Sequence, residues 1–232
     1  MSKFGLFLTV LLGILVLAAT GGCANPTPTQ PSPVAAGNSD ETQFSDSFDT
    51  NANGWDLESV ASRWLEWSFA SGGLQAARTG RVVPFSGLMR FALAVPNRTF
   101  GDFQITLDAF AATQTSGIGY GIFVGQADGS RYYFELDTSG MASVFLEQEP
   151  DDLHPQFIQE PAPVTVSPDG IDQMAVSVAG SAMTFSVNGT QVASVTGAQP
   201  GQHATGLFVE VVPGSGTDTG VAFDNLLVQP GP

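Results

Sequence analysis

Between residues 42 and 229 the apolar residues recur at every second position, in short runs that each end at a turn. Phe103-Gln-Ile-Thr-Leu-Asp-Ala109 is the clearest run: Ile105 and Leu107 point one way, and Gln104, Thr106 and Asp108 point the other. Met174, Val176 and Val178 alternate in the same way, as do Met183, Phe185 and Val187. A period of two is the period of a strand with one buried face, and no long stretch carries the helical period. Asp128-Gly129, Ser139-Gly140, Gly180-Ser181 and Asn188-Gly189 fall between runs, where two residues can reverse the chain. The pattern predicts an all-β fold, an antiparallel sandwich or barrel of roughly twelve strands, enough for two sheets of six. Tyr120 to Val124 is apolar throughout and reads as a strand covered on both faces. Residues 148–163, acidic and proline-bearing, read as a long surface loop.

The first 22 residues do not fit that pattern. Lys3 is followed by an almost wholly apolar run from Phe4 to Ala19, then by small residues and the single cysteine, Cys23. The run is long for the apolar core of a signal peptide and short for a membrane span. With Gly22 before the cysteine, the segment resembles a bacterial lipobox. That resemblance implies cleavage ahead of Cys23, lipidation of its thiol, and anchoring to membrane lipid outside the cytoplasm, in the cell envelope. Asn25-Pro-Thr-Pro-Thr-Gln-Pro-Ser-Pro33 alternates proline with small polar residues. It reads as an extended spacer, about 3.1 Å per residue. The expected organisation is a leader over 1–22, lipidated cysteine and linker over 23–41, and one domain over 42–229.

Charge narrows the partners. The 232 residues carry a formal net charge of −15, and Lys3 is the only lysine. A surface this acidic repels phosphate backbones, which excludes a nucleic-acid partner.

The order of segments resembles the concanavalin A-like lectin/glucanase jelly roll in its laminin-G-like bacterial form. Phe44-Ser-Asp-Ser-Phe-Asp49 with Gly54-Trp55 matches the family's first strand and loop. Gly101-Asp102-Phe103, the run from Gly119 to Val124, and Tyr132-Tyr133-Phe134 follow in order. Ser186-Val187-Asn188-Gly189 matches a hairpin, and Val221-Ala-Phe-Asp-Asn-Leu226 the closing strand. The resemblance implies a two-sheet jelly roll whose first and last strands pair, with Phe48 near Phe223 and Asp224-Asn225 capping groups beside the first strand. It says little about function, because one fold hosts many chemistries.

Candidates for chemistry are few. Glucanases of this fold carry Glu-x-Asp-x-x-Glu on one strand, since glycoside hydrolysis needs two carboxylates facing one bond. Glu135 and Asp137 echo the first two positions, but the third is Gly140. The pair reads first as the solvent face of a hairpin. A fainter resemblance to 3-keto-disaccharide hydrolases rests on the early Gly54-Trp55, Gly72-Gly73-Leu74 and Gly101-Asp102-Phe103, without the arginine-bearing strand of that group. His154 and His203 stand apart, and no serine elbow, phosphate loop or dinucleotide fingerprint is present. Calcium is the one metal considered, with Asp46, Asp49 and Asp224 as its oxygen donors; Asp224 reads first as structural. Trp64, Trp67, Tyr120 and Tyr133 are the aromatic candidates for stacking on a sugar ring. Trp64 and Trp67 are expected to face opposite ways, as are Tyr132 and Tyr133. The expected function is a membrane-tethered binding or adhesion module with a glycan ligand. The alternatives are a glycoside-processing enzyme, related to 3-keto-disaccharide hydrolases or laminarinase-like glucanases, and a structural envelope protein that contacts other envelope proteins.

Overall fold

The computed structural model describes residues 43–60, 62, 64–79, 89–111, 117–149, 155–167, 170–212 and 220–231. The expected leader over 1–22, Cys23, the expected linker up to residue 41 and His154 lie outside them. In chain order the strands are β1 (Phe44–Asp46), β2 (Leu65–Ala70), β3 (Gly73–Arg78), β4 (Met89–Ala94), β5 (Phe103–Ala111), β6 (Ile118–Gly125), β7 (Arg131–Asp137), β8 (Met141–Glu147), β9 (Gln156–Pro163), β10 (Ile171–Ala179), β11 (Ala182–Val187), β12 (Thr190–Thr196), β13 (Ala204–Val211) and β14 (Gly220–Pro230). One helical turn, α1 (Leu57–Val60), separates β1 from β2.

All pairings are antiparallel, and they form two sheets. The first runs β12-β11-β10-β5-β14-β3-β2, with β1 beside β14; the second runs β4-β13-β6-β7-β8-β9. The described strands thus number fourteen, eight and six, rather than twelve in equal sheets. The alternating runs set the registers. Val187 pairs with Thr190 across Asn188-Gly189, both at positive φ (52° and 75°), the two-residue turn whose twist matches the strands it joins. β6 lies between β13 and β7 and is buried along its whole length, as its unbroken apolar run predicts.

The two sheets face each other across a core that includes Phe103, Ile105 and Leu107 of β5, Phe134 of β7, Phe185 of β11 and Phe223 of β14. Phe134 meets Phe185 at 5.7 Å between ring centroids, and Tyr120 meets Phe223 at 6.5 Å. Each pair joins a strand of one sheet to a strand of the other.

Three expectations are corrected. Gln156–Pro163 is not loop but the edge strand β9, in which Pro161 and Pro163 are tolerated because one edge has no neighbour among the described strands to receive an N–H. Trp64 and Trp67 do not split between faces: Trp67 stacks on Phe223 at 6.2 Å, and Trp64, just ahead of β2, also packs against the core. First and last strands do pair, Phe44 with Val228 and Asp46 with Leu226. Asp224-Asn225, however, forms a bulge whose Asn225 Nδ2 reaches away from β1, donating to Asp108 Oδ2 on β5 at 2.9 Å.

Candidate functional site

The second sheet has an apolar cluster on the face turned away from the core, formed by Phe123, Tyr133, Phe145 and Phe208. Strand register builds it. Phe123 on β6 pairs with Tyr133 on β7, Tyr133 with Phe145 on β8, and Phe145 with Phe157 on β9. Four neighbouring strands thus place one aromatic row across the sheet. Successive ring centroids lie 6.2, 5.1 and 6.2 Å apart, within stacking or edge-contact range. Phe208 from β13 stands edge-on to Tyr133 at 4.9 Å. The row is buried except at its end, where Phe157 is 46% exposed. Tyr132, one residue away, faces the core, so the two tyrosines split as expected.

Carboxylates stand beside this row. On β7 the residue two beyond Tyr133 on the same face is Glu135, paired with Gly121 of β6 and Ser143 of β8. On β13 the residue two beyond Phe208 is Glu210, paired with Gly119 of β6 and Arg90 of β4. Gly119 explains how acids from strands that are not neighbours come together. A Cβ at Gly119 would stand 2.3 Å from Oε2 of Glu135, so the glutamate side chain occupies the space that glycine leaves. Ser143 Oγ donates to Glu135 Oε1 at 3.3 Å, while Oε2 is buried with no hydrogen-bond partner among the described residues. Glu210 is held by Arg90 Nε at 2.6 Å. The same guanidinium lies 4.4 Å from the centre of the Phe145 ring and 5.6 Å from that of Tyr133, a cation–π seat over the aromatic row.

These surroundings set protonation. Burial pushes Glu135 well above the ordinary value of 4.5, the charges of Glu210 and Asp137 push it further, and Arg90 opposes them. Glu210 is also raised by burial, with Arg90 again opposing. Glu135 is held the higher of the two, because Glu210 has the guanidinium in contact and Glu135 does not. Glu135 thus lies on the outward face of the hairpin, as expected, but half-buried, with Oε2 out of contact with water. Tyr133 donates its hydroxyl to the buried Glu147 Oε2 at 2.7 Å, and burial chiefly lifts its pKa to about 12.

The other candidates sit elsewhere. Asp137 accepts from the Ser139 N–H, the Ser139 hydroxyl and the Met141 N–H, and so ties the β7–β8 turn. Trp67 and Tyr120 are buried in the core between the sheets, and Trp64 is partly buried against it. Asp46 is buried and accepts from the Phe48 N–H, Asn53 Nδ2 and Trp55 Nε1 at 2.6–2.8 Å. Oxygens that face three N–H donors are poorly arranged to ligate a cation. Asp49 accepts from Ser47 Oγ, and Asp224 from the Asn225 N–H. Among the described residues, no group of three His, Cys, Asp or Glu side chains is arranged to hold a metal ion. Glu210 and Arg90 escape a reading of the sequence. Their only local sign is a charged residue on the same face as apolar neighbours, Glu210 two residues beyond Phe208 and Arg90 two residues before Ala92.

No protein-family model matches the chain, and no curated protein matches it in sequence. Solved structures match in shape. A prokaryotic β-1,3-1,4-glucanase (lichenase) from a mouse hindgut metagenome matches with a TM-score of 0.59 at 11% identity, over 82% of this chain and 99% of that one. The GlcNAcα1-4Gal-releasing endo-β-galactosidase of Clostridium perfringens matches at 0.57 and 12% identity, over 80% of this chain but only 61% of that one. LamAcat from Zobellia galactanivorans matches at 0.55 and 13% identity, over 80% and 96%. At such identities the likeness is one of fold, the antiparallel two-sheet jelly roll that these structures share.

Proposed function

We propose that this chain is a glycan-binding module, exported and held to a membrane by a lipid on Cys23, with the proline-rich segment as its spacer. The observation that carries the glycan reading is the aromatic row Phe123–Tyr133–Phe145–Phe157, which emerges at the sheet edge through exposed Phe157. Sugar rings present apolar C–H faces that lie on aromatic rings. A glucanase and an endo-β-galactosidase of the same fold add support. Lipid anchoring rests on the leader, Gly22-Cys23 and the linker alone. The test is a polysaccharide panel with the wild-type chain and Phe157→Ala. Retention of a glycan by the wild type, weakened about tenfold in the variant, is expected for one lost stacking contact. No retention of any polysaccharide would end this reading. For the anchor, Cys23→Ala should release the chain from the membrane fraction.

A second reading, glycoside processing, is favoured by one observation. Glu135, whose raised pKa favours the acid form and whose buried Oε2 has no partner among the described residues, stands beside Glu210, which carries the Arg90 guanidinium. An acid and a carboxylate together are the two groups glycoside hydrolysis uses. Glu135 would give its proton to the leaving oxygen, and Glu210 would act as base or nucleophile at the anomeric carbon. Hydrolysis of a bound glycan that is lost in Glu135→Gln, with binding kept, would establish it; binding without turnover in the wild type leaves the module reading.

A further inference from the structure

The outward face of the eight-stranded sheet carries a groove of about 410 Å³ that none of the foregoing uses. Its geometry follows from one row of paired residues: Ile171 of β10 with Phe110 of β5, Phe110 with Ala222 of β14, and Ala222 with Gln75 of β3. Two large apolar side chains, Ile171 at 49% and Phe110 at 41% exposure, make one wall. Ala222 and Gly73 leave the floor low, and Gln75 faces the wall from the other side. The adjoining row closes one end with two carboxylates, Asp108 and Asp224, paired directly across β5 and β14. Like charges at opposed positions destabilise a sheet. What lies between them is Asn225, in the left-handed region at φ 50°, whose N–H donates to Asp224 Oδ1 at 2.7 Å and whose Nδ2 donates to Asp108 Oδ2. Asn225 is neutral, and no lysine or arginine is among the described lining residues.

An exposed aromatic face beside two acids, with no cation among the described lining residues, calls for an occupant with an apolar face and a positive charge. We infer that the groove binds an aminosugar unit carrying a free ammonium, its C–H face on Phe110 and its ammonium toward Asp108 and Asp224. Charge complementarity selects this ligand over uronate or sulfated sugars, which the acids repel, and over an N-acetylated sugar, which brings no charge. The site lies on the sheet opposite the aromatic row, so it stands whether or not that row binds glycan.

The experiment titrates the full chain with the β-1,4-linked glucosamine tetramer and its fully N-acetylated counterpart, at a slightly acidic pH that keeps the amines protonated. The wild type is expected to bind the amino form at least about tenfold more tightly than the acetylated one. Phe110→Ala and Asp224→Asn are each expected to weaken it about tenfold, and Ala222→Leu, which fills the floor, to abolish binding. Glu58→Gln, on the exposed side of α1, should leave it unchanged. Thermal melts of each variant confirm folding, and exposed Phe110 keeps the test independent of any variant that misfolds. Three results would overturn the inference: equal affinity for both tetramers, equal affinity in folded Phe110→Ala, or equal binding of polylysine, which would mark a merely acidic surface.

Discussion

Glu135 lays its carboxyl group over Gly119, in the space where any other residue would place its Cβ, 2.3 Å from Oε2. The whole acidic site depends on that vacancy. Gly119→Ala should turn Glu135 out toward water, at a cost of about 1–3 kcal/mol for the overpacked strand. The decisive readout is the Glu135 carboxyl carbon by NMR, whose titration should fall back toward the ordinary glutamate range. An unmoved titration in a folded Gly119→Ala variant would show that the glycine does not create the site.

The raised acid also predicts how stability varies with pH. Its folded pKa lies above its unfolded one, so the folded chain holds a proton that the unfolded chain gives up first. That contribution is complete below the ordinary value of 4.5 and is lost as pH climbs through the folded value; Glu210, also raised, acts in the same sense. Urea melts from acid to alkaline pH should show stability falling upward through this range. Glu135→Gln should flatten the dependence.

Arg90 and Glu210 have side chains only 8% and 7% exposed. Arg90→Met should cost about 3–5 kcal/mol, because it strands a buried carboxylate as well as removing the cation over Phe145. Adding Glu210→Leu to that variant should recover much of the loss. Chemical denaturation of the two single variants and the double variant measures the coupling.

All three tyrosines of the chain, Tyr120, Tyr132 and Tyr133, are held above the ordinary value of 10.0, chiefly by burial. Tyrosinate absorbance should therefore stay low at a pH where free tyrosine is half ionised, and rise with unfolding. Tyr133→Phe should cost about 1–3 kcal/mol, since it leaves Glu147 buried without its hydroxyl donor.

Period-two alternation and turn chemistry are local properties, which is why β5, β10, β11 and the Asn188-Gly189 turn could be read directly from the chain. The opposite facing of Tyr132 and Tyr133 follows from the same rule. β9 escaped because Pro161 and Pro163 look like loop residues until the strand is known to sit at an edge. Trp64 escaped because it precedes its strand, where alternation does not yet apply. The acidic site was half legible. Glu135 stood out by its likeness to a glucanase strand, but its burial depends on Gly119, and its partners Glu210 and Arg90 come from strands remote in sequence. No local pattern encodes that meeting.

The pairing of β1 with β14 has a mechanical side. β1 contributes only three residues, Phe44 to Asp46, yet it is the first described strand of the domain. Any pull arriving from residues ahead of it falls first on that short ladder, and behind it on Phe48 and Trp55, whose rings pack at 5.4 Å and whose backbone and indole N–H groups both donate to Asp46. Asp46 thus works as a knot in the rope: tension that peels β1 meets a buried, triply bonded carboxylate before it can reach the sheets.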